Sequence, residues 1–181
     1  RSWQVCHSLE AVSGAGVRAV AVQLDPKLAA SSRTSHVEAI VGALRWERKI
    51  VLVSSSAAGA LSSPFVLGPD TFLRVAGHIS IAAPLDSSAH RPRADTRETD
   101  PSPRKTPTLL VFGDLDNSFP PDSPQAHDQA AFFSGSAHKV VLPGAGHACH
   151  LSAPEDFNRL LVDFVCGCRD DRKVPVAAEW T

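Results

Sequence analysis

Five short, mostly apolar runs punctuate this chain at intervals too long for hairpins: VRAVAVQ at 17–23, KIVLVS at 49–54, HISIAA at 78–83, TLLVFG at 108–113 and HKVVLPG at 138–144. Consecutive apolar residues, rather than alternation with polar ones, mark strands covered on both faces. The stretches between them suit helices. Ser35 and Glu38 have capping-box spacing, with Val37, Ile40, Val41 and Leu44 following on one helical face. Further helices are expected over 3–13, ended by the glycines of GAG, over about 57–66 and near 123–134. The last one takes Ser152 and Glu155 as its capping box and Phe157, Leu160, Leu161, Phe164 and Val165 as its apolar stripe. Strands and helices in alternation predict an α/β fold, a mostly parallel sheet with helices on both faces. In such sheets ligands bind beyond the carboxyl ends of the strands, so the residues after each run are where chemistry is sought.

At 181 residues the chain suits one domain, taken as 1–168. Residues 86–105 are polar, Pro-containing and mixed in charge, a surface insertion, and 169–181 read as a frayed tail. A formal net charge of −1 gives no electrostatic case for nucleic acid or an anionic membrane. No apolar run approaches the ~20 residues of a membrane span. There is no methionine, even at position 1, and the start at RSWQV leads us to expect an N-terminally incomplete domain. An upstream anchor or targeting segment stays open on this reading. Cys6, Cys149, Cys166 and Cys168 fit no disulfide framework and read as reduced structural thiols, which favours a cytoplasmic or nuclear setting. His147, Cys149 and His150 are close in sequence, but no metal is assigned to them.

The stretch SSSAAG follows the second run. A sharp strand-to-helix turn that exposes a serine hydroxyl needs small residues two before and two after that serine. Centred on Ser54 or Ser55, the earlier position is Leu52 or Val53; centred on Ser56, the flanking pair is Ser54 and Ala58. Only Ser56 meets the steric rule, with Gly59 easing the start of the helix. A serine hydroxyl also needs a base, itself oriented by a third group. Asp114 and Asp116 follow the fourth run, and His147 follows the fifth, in the order Ser, Asp, His that α/β-hydrolases use. Asp116 could instead cap the following turn. His150 competes with His147.

The segments TPTLLVFGDLD, PGAGHACHLSAPEDF and VLVSSSAAGALSSPF resemble those of the abhydrolase domain-containing 14 group of small serine hydrolases, over about residues 2–167. By matching position the resemblance implies Ser56 as nucleophile, Asp116 as acid and His147 as base; Asp114 matches the first acidic position of that loop, which is not the triad acid, and is kept as a backup. It implies an α/β-hydrolase fold without a large lid, and hydrolysis of short esters or removal of acetyl groups from lysine. The acyl group would pass to water or coenzyme A, and no other cofactor is implied. A transcription-factor partner is also implied. Members of this group carry a further strand and a His-Gly loop upstream of the position of Trp3, and these are absent here. The strand is expected beside 17–23. That loop supplies one of two oxyanion donors, the other being the Ala57 N–H. The alternative to a small-acyl serine hydrolase is therefore an interaction module with the fold but an incomplete oxyanion hole.

Overall fold

Four of the five runs pair into one fully parallel sheet: Ile50–Ser55 (β1), Val75–Ile81 (β2), Thr108–Gly113 (β3) and Ala137–Leu142 (β4), in the spatial order β1-β2-β3-β4. The computed structural model describes residues 2–23, 25, 27, 32–68, 71–84, 106–133 and 136–169. The 86–105 insertion and 170–181 of the tail lie outside the described residues. The register aligns Ser55 with Ile81, Ile81 with Val111 and Val111 with Val140, so the strands end along one edge. Each next residue in the chain then lies at that carboxyl edge.

Helices occupy both faces. Ser8–Gly14 (α2) and Pro154–Arg169 (α8) pack on one, where Ile79, Ile81, Leu109, Val111, Val140 and Leu142 meet Phe157, Leu160, Leu161, Phe164 and Val165. The expected stripe of α8 is thus its buried face, all five side chains being at most 7% exposed. Burying a side chain of this size contributes about 1.5–3 kcal/mol. Arg33–Ala43 (α3), Ala58–Val66 (α4) and Pro124–Phe132 (α6) cover the other face, through Val37, Phe65 and Ala126 against Ile50, Val75, Leu110 and Phe112. Short helices Ser2–Val5 (α1), Thr71–Arg74 (α5) and Cys149–Ser152 (α7) complete the described elements.

The departures from expectation have identifiable causes. The run 17–23 is not a strand; Val20 and Val22 are 49% and 44% exposed. Its β-branched residues suit a pleated surface, but a ladder also needs a neighbouring backbone. Between this run and β1 lies instead a cavity of about 1680 Å³, lined by Val17–Gln23 on one side and Ile50–Ser55 on the other. The helix of 3–13 breaks at Cys6–His7, where His7 takes φ 57 and the Cys6 carbonyl accepts from Asn158 Nδ2 at 2.7 Å. Ser35 lies inside α3 and donates to the Ser32 carbonyl at 3.0 Å, so the proposed box with Glu38 does not form. Ser152 ends α7, where its Oγ accepts from the Gly146 N–H at 3.3 Å. Pro154 starts α8, at a position where its missing N–H costs nothing. Among the described residues no helix is long and apolar enough to cross a membrane.

Candidate active site

Ser56 occupies the turn between β1 and α4 with φ 50, in the left-handed region that non-glycine residues seldom adopt. The turn is held from both sides. The Ser56 N–H donates to the Ile81 carbonyl at 2.9 Å, and the Gly59 N–H donates to the Ser56 carbonyl at 2.8 Å. Gly59 is sterically required, because a Cβ there would lie 2.6 Å from Ala83 Cβ and 2.8 Å from the Pro84 carbonyl. Ser54 is buried and Ala58 half-buried, as the small-residue rule demands. Ala57 follows Ser56 at the head of α4, solvent-exposed.

The loops after β3 and β4 converge on the same point. Leu115 donates its N–H to the Ala145 carbonyl at 2.9 Å and Asp114 its own to Leu142 at 3.2 Å, which fastens the two loops backbone to backbone. Gly113 permits this approach, since a side chain there would collide with the Ala145 and Gly146 carbonyls. His147 Nδ1 then meets Asp116 Oδ2 at 2.8 Å, and His147 Nε2 meets Ser56 Oγ at 2.8 Å. The Asp116 side chain is fully buried while that of His147 is 36% exposed. Asp116 Oδ1 accepts from the N–H groups of Ser118 and Phe119 at 2.8 and 2.9 Å. Burial alone would raise its carboxyl. The hydrogen bonds from Phe119, the His147 ring and Ser118 outweigh that and hold it below the ordinary value of 3.8. An ionised Asp116 can only accept, so His147 Nδ1–H donates to its Oδ2 and Nε2 is left to accept from the Ser56 hydroxyl.

Ser56, Asp116 and His147 are therefore brought together from three strand ends. Asp116 also caps its own turn through Oδ1 while its Oδ2 meets His147. Asp114 is exposed and takes no part in this chain of bonds. His150 is buried and stacked on Trp3, with ring centroids 4.7 Å apart, and it meets Phe157 edge-on at 5.9 Å. Burial pushes the Cys149 thiol up to about 11, which removes it as a nucleophile near neutral pH. Among the described residues no three His, Cys, Asp or Glu side chains converge as a metal site. Residue spacing did not reveal the pairing of Ser54 with Ser62, whose hydroxyls lie 2.7 Å apart behind Ser56.

No family model matches the chain. Among curated proteins it is similar to rat "Protein ABHD14A", 32% identical over 173 residues, covering 91% of this chain and 66% of that one. Rat "Putative protein-lysine deacylase ABHD14B" is 30% identical over 177 residues, covering 91% of this chain and 76% of that one. The chain belongs to the ABHD14 family. It spans about two thirds of the length of ABHD14A and about three quarters of that of ABHD14B. The family's fold is visible in solved structures too. The chain superposes on a monoacylglycerol lipase from Paleococcus ferrophilus with TM-score 0.68 at 15% identity, covering 93% and 90% of the two chains. An alpha-beta serine hydrolase homologue from Coxiella burnetii gives TM-score 0.61 at 20% identity, covering 88% and 74%. At these identities the likeness shows the fold alone, and that fold is the α/β-hydrolase fold.

Proposed function

We propose that this ABHD14-family chain is a serine hydrolase that cleaves small acyl groups. The observation that carries the reading is the unbroken series Asp116–His147–Ser56, with 2.8 Å at each link, ending on a hydroxyl held at φ 50. Ser56 Oγ attacks the acyl carbon while His147 Nε2 takes its proton. Asp116 orients the ring and stabilises the imidazolium that forms. The carbonyl oxygen that gains charge is assigned to the Ala57 N–H, the residue after the nucleophile, and one such donor is worth about 10²- to 10³-fold in rate. His147 then protonates the leaving group, and a water molecule releases the acyl group from Ser56 by the reverse sequence. The name of ABHD14B makes an acyl-lysine side chain the first substrate to test, beside short esters. Coenzyme A is the other acceptor to test in place of water.

A fluorophosphonate probe tests the reading. It should label the full chain at Ser56, and Ser56→Ala should abolish labelling while Ser55→Ala retains it. Labelling that persists undiminished in Ser56→Ala would refute the assignment of the nucleophile. If the folded wild type took no label and hydrolysed neither p-nitrophenyl acetate nor an acetyl-lysine peptide, the chain would be a binding module on a hydrolase fold.

A further inference from the structure

We propose that Ser54 and Ser62 form a positioning brace that holds the Ser56 turn at the distance its reaction needs, an inference that rests on the serine-hydrolase reading. The small-residue rule at position 54 is a rule about volume, and glycine or alanine would satisfy it. Serine adds a hydroxyl at a site that is 2% exposed, where an unpaired polar group is costly. Its partner is Ser62, 4% exposed, in the second turn of α4 and eight positions along the chain. The Ser54 and Ser62 oxygens lie 2.7 Å apart. Ser62 donates to the Gly59 carbonyl at 3.3 Å, so the proton between the two hydroxyls comes from Ser54. Ser63 donates to the same carbonyl.

These bonds close a ring around the turn. Ser54 belongs to the strand limb and Ser62 to the helix limb, and the Gly59 peptide joins Ser62 to the turn. The Gly59 N–H in turn holds the Ser56 carbonyl at 2.8 Å. A left-handed serine persists only where its surroundings over-determine it. Here the ring ties the two limbs from behind, opposite to the hydroxyl that faces His147. Neither brace serine touches His147 or Asp116, so each acts through Ser56 rather than on substrate.

The test is time-resolved fluorophosphonate labelling of the full chain, together with kcat and KM on p-nitrophenyl acetate, for wild type, Ser54→Ala, Ser54→Gly, Ser62→Ala and the double alanine variant. A misplacement of about 1 Å costs up to ~10²-fold in a positioned reaction, and loss of one brace bond should cost roughly 10-fold. We expect each single variant to label to full amplitude at a rate reduced by roughly that factor, with kcat lowered and KM unchanged. The double variant should be no more than about twofold slower than either single one, because both break the same ring. Unchanged rates in folded variants, or multiplied losses in the double variant, would overturn the brace. So would a fall in amplitude alone, which reports fewer folded molecules, or loss of the fold in both Ser54 variants. A folded wild type that takes no label would instead overturn the hydrolase reading, and the brace with it.

Discussion

His78 offers a direct check on how this fold handles a buried titratable group. It lies within β2, 2% exposed, beside Phe133 with ring centroids 6.0 Å apart, and neither ring nitrogen has a hydrogen-bond partner among the described residues. Burial lowers its pKa from 6.5 to about 4. Above pH 6.5 the ring is neutral in both folded and unfolded chains, and the native state bears no penalty. As the pH falls below 6.5 the unfolded chain binds a proton that the native one refuses, so stability drops. The decline ends near pH 4, where the native ring also charges. At ~1.4 kcal/mol for each pH unit, the loss across that window of about 2.5 units is at most roughly 3–4 kcal/mol. Urea unfolding between pH 4.5 and 7.5, on wild type and His78→Leu, isolates this contribution from that of His150, which burial and the nearby His147 shift in the same direction. Asp116 acts in a separate window, because a carboxylate held below 3.8 loses its contribution only at lower pH. We expect the two stability curves to diverge steadily below pH 6.5, with the leucine variant the more stable. At pH 7.5 the leucine variant should be no less stable than wild type, since it removes two unpartnered buried nitrogens. Parallel curves across the whole range would refute the reasoning.

Two further substitutions probe the site itself. Asp116→Asn preserves the turn but permits the wrong His147 tautomer, so ester turnover should fall by up to ~10⁴-fold, while Asp114→Asn stays close to wild type. Equal losses in the two variants would remove Asp116 from its role. Gly113→Ala forces the Ala145 and Gly146 carbonyls to move and should lower stability by about 1–3 kcal/mol, measured as a fall in Tm, while also slowing labelling of Ser56. A variant as stable as wild type would show that the two loops are not fastened as described.

The parts of the site legible in the sequence were those set by local sterics and chain order. The bulk of Leu52 and Val53 singles out Ser56 among three adjacent serines, and the positions of Asp116 and His147 after successive strands bring them to the same sheet edge. What stayed hidden depends on partners far along the chain. The 17–23 run has strand composition, but composition reports compatibility with a pleated surface and not the presence of a neighbour. Ser152 and Glu155 have the spacing of a capping box, yet the Ser152 oxygen serves the Gly146 N–H instead. The break at Cys6–His7 is likewise set from 152 residues away, by the Asn158 amide on the Cys6 carbonyl. Ser54 and Ser62 belong to elements of different period, so no repeat in the sequence points from one to the other.

The cavity beside β1 bears on how firmly Ser56 is carried. Among the described residues β1 has a ladder partner on one side only, so the strand that delivers the candidate nucleophile is supported less than β2 or β3. Opening of a sheet starts at its edges, where fewer bonds must break, and among the described residues the limb leading into the Ser56 turn is one edge as β4 is the other. Anything that lays an extended backbone along the free side of Ile50–Ser55 would raise the cost of that opening. Occupancy of the groove, whose lining extends to Ser54, Ala57 and Ser62, would then be read out as a stiffer, better aligned hydroxyl.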